Sequence, residues 1–192
     1  MPTPDERARL LEVLRKILQS IAVVRDEWEI FETAVRESVR QLGYEWVSIV
    51  LQDLDERSAR VFLSVPSGPG ALRVGEVVDQ ASGFWEAMRS GSAFVRESLG
   101  AQGPLWEDSA LAEAGVTSYA AIPLRVRGKT IGTYNVGSRD PARIVNNVSL
   151  MTQLAEFLAN AVVAARLIGE VQQGLIRLHD KVTAAPLPLP LL

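Results

Sequence analysis

GVTSYAAIPLRVRGKTIGTYNVGS, residues Gly115 to Ser138, is the stretch that decides the fold. Ser118 to Arg125 and Thr130 to Val136 are rich in β-branched and aromatic residues, which suit a pleated and half-buried surface. Between them Val126-Arg127-Gly128-Lys129 supplies the glycine that a short hairpin connection needs. Two antiparallel strands are expected here, leading straight into a long helix.

Upstream, Leu10, Leu11, Leu14, Ile17, Leu18 and Ile21 recur at helical spacing, predicting an amphipathic helix over about residues 5 to 21. Asp26 is placed to cap a second helix in which Trp28, Phe31, Val35, Val39 and Leu42 share a face, with Gly43 as its stop. Tyr44 to Asp53 and Arg60 to Val65 read as a pair of strands joined by a polar turn. Ser82 to Arg89 reads as a short helix ending at Ser90-Gly91, and Ala93 to Arg96 as a short strand. A loop is expected from Glu97 to Pro104. A small helix follows near Ser109 to Ala114, opened by Asp108 or Ser109.

The last helix, expected over about Asn146 to Val182, carries an apolar seam in alternating steps of four and three. Its members include Leu150, Leu154, Phe157, Ala161, Ala164, Ile168, Val171, Leu175, Leu178 and Val182. Up to Leu167 the helix also carries Met151, Leu158, Val162 and Ala165 off the seam, so this half is suited to cover a sheet and a partner together. Beyond Ile168 the flanks turn polar. A narrow stripe of this kind calls for another helix, either a second copy in a homodimer or the N-terminal helix of the same chain.

With 192 residues and 47% hydrophobic content, the chain can bury a core of its own, most simply as one domain with helical extensions. The expected division is 1-25 as an N-terminal amphipathic helix, 26-167 as the domain, and 168-192 as a heptad extension with a Pro-Leu tail. A net charge of -3 with both signs interspersed offers no basic stripe for a phosphate backbone, so no nucleic acid partner is expected. The charged N-terminus and the lack of an apolar run of spanning length predict no membrane segment and a cytoplasmic protein.

The same evidence narrows the chemistry. There are no cysteines, and His179 is the sole histidine, so neither a thiolate nor a histidine-based metal site is expected, and no catalytic constellation. No Walker-type or dinucleotide glycine pattern occurs, since Ser67-Gly68-Pro69-Gly70 lacks the lysine. The acidic pairs Asp53 with Asp55 and Glu107 with Asp108 fall in turns and loops, where they are expected to solvate the surface rather than share a proton.

The run from Leu111 to Pro141 resembles the C-terminal signature of GAF domains, small-molecule sensor modules of bacterial signalling proteins. Leu111, Gly115, Tyr119, Ile122-Pro123-Leu124, Gly128, Ile131-Gly132, Asn135, Gly137-Ser138 and Pro141 fall at matching places, and a looser match runs from about Asp26 to about Gln173. The resemblance implies an α+β, GAF-like fold related to PAS, with a central antiparallel sheet of about five to six strands. Long N- and C-terminal helices would cover one face, and short helices and loops the other. It implies a regulatory sensor that passes a signal through its last helix to an output domain, or to a kinase or cyclase partner. The cysteine that attaches a bilin, the histidine that holds haem and the cyclic-nucleotide signature are not found, which leaves non-covalent binding of an unknown small molecule, or a ligand-free dimerisation scaffold.

Parity then selects the candidate pocket, which the resemblance places between the sheet and residues 82 to 114. On the first strand Val47, Ile49 and Leu51 form an apolar face, while Trp46, Ser48, Val50 and Gln52 form a mixed one. Thr133 and Asn135 on the last strand, with Tyr119 and Ala121 beside them, fit the mixed face. Phe84, Trp85, Phe94 and Trp106 are available to roof it, with ordinary core packing as the alternative for each.

Overall fold

A computed structural model describes residues 4-22, 26-53, 55-66, 72-100 and 103-183. In chain order they form α1 (Pro4–Ala22), α2 (Glu27–Leu42), β1 (Trp46–Gln52), β2 (Ala59–Val65), α3 (Gly83–Ser90), β3 (Phe94–Arg96), α4 (Asp108–Glu113), β4 (Ser118–Val126), β5 (Lys129–Ser138) and α5 (Pro141–Thr183). The local signals act as their chemistry requires. Asp26 accepts hydrogen bonds from the Trp28 and Glu29 amides at the start of α2, and Gly43 ends that helix with a φ of 66°. Arg127 and Gly128 make the β4–β5 turn with both φ values positive, the geometry whose twist matches two antiparallel strands. The last helix starts five residues earlier than its apolar pattern, at Pro141, where the Asp140 carboxylate accepts from the Ala142 amide.

The sheet has five strands in the order β2-β1-β5-β4-β3, each pair antiparallel. β5 lies at the centre, between β1 and β4. The outer edge of β2 is not bare: the Val61 amide donates to the Glu76 carbonyl and the Val78 amide to the Ala59 carbonyl, both at 2.9 Å. That segment blunts an edge that would otherwise invite another strand.

Strand parity separates the interior into two layers. Val47, Ile49, Ala120, Ile122, Leu124, Tyr134 and Val136 point towards α1, α2 and α5 and join their apolar residues in one core. Trp46, Val50, Tyr119 and Ala121 point the other way, towards α3 and α4. The helical layer is anchored by one buried polar contact. The Tyr134 hydroxyl donates to Ser38 Oγ at 2.6 Å, and that hydroxyl in turn donates to the Ala34 carbonyl, so β5 is tied to the middle of α2. Burial pushes the Tyr134 phenol well above its ordinary titration range.

On α5, Leu150, Met151, Leu154, Ala155, Leu158, Ala159, Val162 and Ala165 are buried against the sheet and the other helices. Leu154, expected on the partner seam, is therefore covered within its own chain. The seam and the sheet-facing stripe coincide at Leu150 and Leu154 and then diverge, because 3.5- and 3.6-residue periods drift apart along a helix. α1 packs on both α2 and α5. The intrachain alternative considered for the last helix is thus realised as far as α1 reaches.

One expectation is corrected. Over Pro141–Ile168 α5 is long and apolar enough to cross a bilayer by composition, with a mean hydropathy of 1.4 in its most apolar window. The cause is the coincidence of a core-facing stripe with alanines and a second apolar stripe on the same helix, and a core helix meets the same criterion. Since Leu158 is fully buried, Leu158→Ala is expected to lower unfolding free energy by about 2–5 kcal/mol. Urea denaturation followed by circular dichroism measures the loss.

Candidate functional site

The mixed face of the sheet is roofed by α3. Ser82 caps this helix by accepting from the Trp85 amide at 3.2 Å, and Gly91 closes it in the left-handed region at a φ of 64°. The helix begins on glycine for a steric reason. A Cβ at Gly83 would overlap the Phe94 ring and lie 2.6 Å from the Tyr119 hydroxyl, so any side chain would lift the roof from the sheet.

Phe84, from the first turn of α3, is the hub of the layer. It stacks on Trp46 with ring centroids 6.2 Å apart and meets Trp106 and Tyr119 edge-on at 6.4 and 6.1 Å. The indole nitrogens are used. Trp46 Nε1 donates to Ser64 Oγ at 3.2 Å, and Trp85 Nε1 to the Val78 carbonyl at 3.1 Å. Trp46, Val50, Tyr119 and Ala121 are buried, Trp85 nearly so, and Phe94 and Trp106 half-buried. The structure thus brings these predicted residues together in one layer.

Ser48, Thr133 and Asn135 form a polar patch on the sheet beneath that layer, all of them completely buried. Asn135 Nδ2 donates to Ser48 Oγ at 3.1 Å across β1 and β5. Asn135 Oδ1 and Thr133 Oγ1 have no hydrogen-bond partner. Buried polar groups are nearly always paired, so two neighbouring orphans on one strand are unusual.

The acidic pair Glu107 and Asp108 corrects the sequence expectation outright. Both are completely buried, not solvating a loop. Glu107 Oε1 accepts from the Gly83 amide at 2.8 Å and from the Tyr119 hydroxyl, while Oε2 has no partner. Asp108 Oδ2 accepts from Arg96 Nη2 and from the Leu105 amide, each at 3.2 Å. Neither Asp108 nor Ser109 caps α4: the capping position is held by Glu107, whose side chain makes no capping bond because it is turned to α3 and β4. Desolvation raises the Glu107 carboxyl above the ordinary range, against the lowering effect of the Tyr119 and Gly83 hydrogen bonds, and the adjacent Asp108 adds a little to the rise. Burial and the Glu107 charge likewise push the Tyr119 phenol far up.

The sequence signal for this knot was slight. Acidic residues at a helix start ordinarily favour the helix dipole from solvent, and nothing local to them announces Gly83, 24 positions away, as the donor. The one available cue was Tyr119 on the inward face of β4, a buried hydroxyl in need of an acceptor.

At one end of this face a cavity of about 470 Å³ is lined by Gln52, Glu56, Arg57, Gln80, Trp85, Met88 and Arg89. Of the predicted pocket residues it includes Trp85. Among the described residues no cluster of His, Cys, Asp or Glu could hold a metal ion. On α5 the seam residues beyond Leu154 turn progressively outward: Phe157 and Ala161 are half-buried, and Ala164, Ile168 and Val171 exposed. The side chains of Leu175 and Leu178 lie outside those described.

Comparison with known families and structures follows the same lines. The GAF domain model matches residues 26–162, and the chain belongs to the GAF domain family. Solved structures similar to it include the GAF domain of an Acinetobacter phosphoenolpyruvate-protein phosphotransferase, at 18% identity and a TM-score of 0.68, with 84% of this chain and 97% of that one covered. A second is the free methionine-R-sulfoxide reductase of Neisseria meningitidis in complex with its substrate, at 20% identity and a TM-score of 0.71, covering 88% and 96%. A third is the GAF domain of a two-component sensor histidine kinase from Bacillus halodurans, at 18% identity and a TM-score of 0.57, covering 82% and 96%. These establish a shared α+β fold with an open antiparallel sheet. No curated protein matches the chain.

Because Gly83 touches both Phe94 and Tyr119, Gly83→Ala is expected to cost about 1–3 kcal/mol through overpacking. A chemical denaturation midpoint left unchanged by Gly83→Ala would contradict the close approach.

Proposed function

We propose that this chain is a regulatory sensor module of signal transduction, which binds a small organic molecule non-covalently on the mixed face of its sheet. One observation carries the reading. Among the described residues Thr133 Oγ1, Asn135 Oδ1, Glu107 Oε2 and Asp108 Oδ1, all on completely buried residues, lack partners on the α3–α4 side, as does the buried Nε of Arg96, whose Nη2 pairs with Asp108. The larger helical layer contributes, among the described residues, only the Tyr44 hydroxyl, which lies beside Asn147. Polar groups kept dry and unpaired on one side of a sheet favour an occupant that brings hydrogen bonds there. The cavity bounded by Trp85 and Met88 opens on the same side, with none of Thr133, Asn135, Glu107 and Asp108 in its lining.

The role is regulatory rather than catalytic. The chain has no cysteine, so thiol chemistry has no nucleophile here, and no bilin, haem or metal cofactor is proposed. The domain spans 26-167, with α1 packed against it and the end of α5 projecting as the signal-carrying helix. Leu167 and Ile168, 60% and 42% exposed, and Val171 one turn further on, 56% exposed, support a second helix docking there in a homodimer. An output domain, or a kinase or cyclase, would receive the signal, in the cytoplasm. The second reading, a ligand-free dimerisation scaffold, is favoured by the tight aromatic packing around Phe84.

Thermal-shift screening of a metabolite library, followed by native mass spectrometry of the hits, separates the two. A ligand at about 100 times its Kd should add about 2.7 kcal/mol to stability, and Asn135→Leu should abolish the response while leaving the dimer. If no compound binds and Asn135→Leu is more stable than the unchanged protein, the scaffold reading stands. For the dimer, sedimentation at micromolar concentration should give two copies, with Val171→Glu and Leu175→Glu shifting the chain to monomer and Trp106→Ala leaving assembly intact. A monomeric unmodified protein removes both the scaffold and the transmission along α5.

A further inference from the structure

We infer that Glu107 is a proton-sensitive latch, holding α3 and the Trp106 turn against the sheet while its carboxyl is neutral and loosening them when it ionises. The inference needs no ligand, but it shares with the sensor reading the unpaired Glu107 Oε2.

Three elements meet at this one carboxyl. Glu107 itself sits at the entrance to α4, its Oε1 accepts from the Gly83 amide at the start of α3, and the same oxygen accepts from the Tyr119 hydroxyl of β4. The Trp106 amide donates to the Ala81 carbonyl at 3.0 Å, so the same turn is clipped to the residues just before α3 by a second bond. Both donors converge on Oε1. Oε2 is left buried without a partner, which a neutral carboxyl tolerates far better than a carboxylate.

The Gly83 and Tyr119 donors favour the ionised form, but burial outweighs them, and the charges around Glu107 do not rescue it. Asp108, on α4, is a second acid next in the chain. Arg96, on β3, is the nearby cation, and its guanidinium is engaged with Asp108 Oδ2 at 3.2 Å. From α3 no charge faces inward, because Glu86 and Arg89 are exposed and paired with each other. From β4 the facing group is Tyr119, whose phenol stays protonated. Ionisation of Glu107 therefore places a second negative charge beside Asp108 with half of it unsolvated. Opening the roof is how water reaches Oε2.

The sign follows from linkage. A carboxyl whose pKa is raised in the closed state binds its proton more tightly there than when open. Its support for the closed state is complete below the ordinary Glu value of about 4.3 and is lost as pH rises through the raised value. Each unit between the closed and open pKa values is a tenfold change in the ratio of closed to open roof.

Hydrogen exchange read by mass spectrometry on the full chain, corrected for the intrinsic pH dependence of exchange, tests this from pH 5 to 9. Peptides covering 79-90 and 104-113 should open about tenfold more for each unit of pKa displacement as pH rises, while peptides of α2 and β5 stay constant. Glu107→Gln, always neutral and still an acceptor, should flatten the profile in the closed position. The idea is overturned if the unmodified protein shows no pH dependence in those peptides, or if Glu107→Gln keeps the same dependence. Should Glu107→Gln fail to fold by circular dichroism, the carboxyl ¹³C titration of Glu107 in the unmodified protein decides: a raised midpoint supports the latch and an ordinary one rejects it.

Discussion

An antiparallel sheet covered on both faces must sort its side chains by parity, and everything else in this protein depends on how β4 and β5 do so. Ala120, Ile122, Leu124, Tyr134 and Val136 enter the helical core, while Tyr119 and Ala121 enter the aromatic layer and Thr133 and Asn135 are buried beside it. A slip of one residue would exchange these two sets and bury the polar patch under the long helices. The two-residue turn at Arg127 and Gly128 starts the pairing, and a one-residue shift in the ladder between Leu124 and Arg125 then sets the register in which the two sets face their own layers.

The two layers are built from different physics. The helical side is a conventional apolar core in which Tyr134, Ser38 and the Ala34 carbonyl form its described polar chain, closed on itself by well-formed hydrogen bonds. The other side combines large aromatic rings with a buried pair of acidic side chains and several unpaired oxygens. The first arrangement stabilises. The second spends part of that stability on polar groups that a structural core would have no reason to keep, which is where a responsive site would be expected in a domain of the GAF family.

The long helix links the two roles. Its inner stripe completes the core up to Ala165, and its outer stripe emerges as an exposed apolar line at Leu167, Ile168 and Val171. A rearrangement of β4 or β5 acts directly on α5, which packs on both strands. In the proposed sensor reading this packing is the contact through which a change above the sheet would reach the helix.

Much of this was legible in the chain itself, because the signals concerned are local: Asp26 and Gly43 bound a helix, the Gly128 turn sets a hairpin, and alternation assigns each strand residue to a face. Parity even assembled Trp46, Ser48, Tyr119, Thr133 and Asn135 on the correct side of the sheet. What alternation could not tell was depth. Glu107 and Asp108 have the spacing and context of surface acids, and only the meeting of Gly83, Arg96 and Tyr119 around them turns them inward. Leu154 likewise belongs to a heptad seam by period, yet lies against its own sheet. Sequence by itself determined the elements and their faces, since these arise from neighbours a few residues apart. Only the tertiary structure decided which polar groups are sealed from water, because burial is set by residues distant in the chain and brought together by packing.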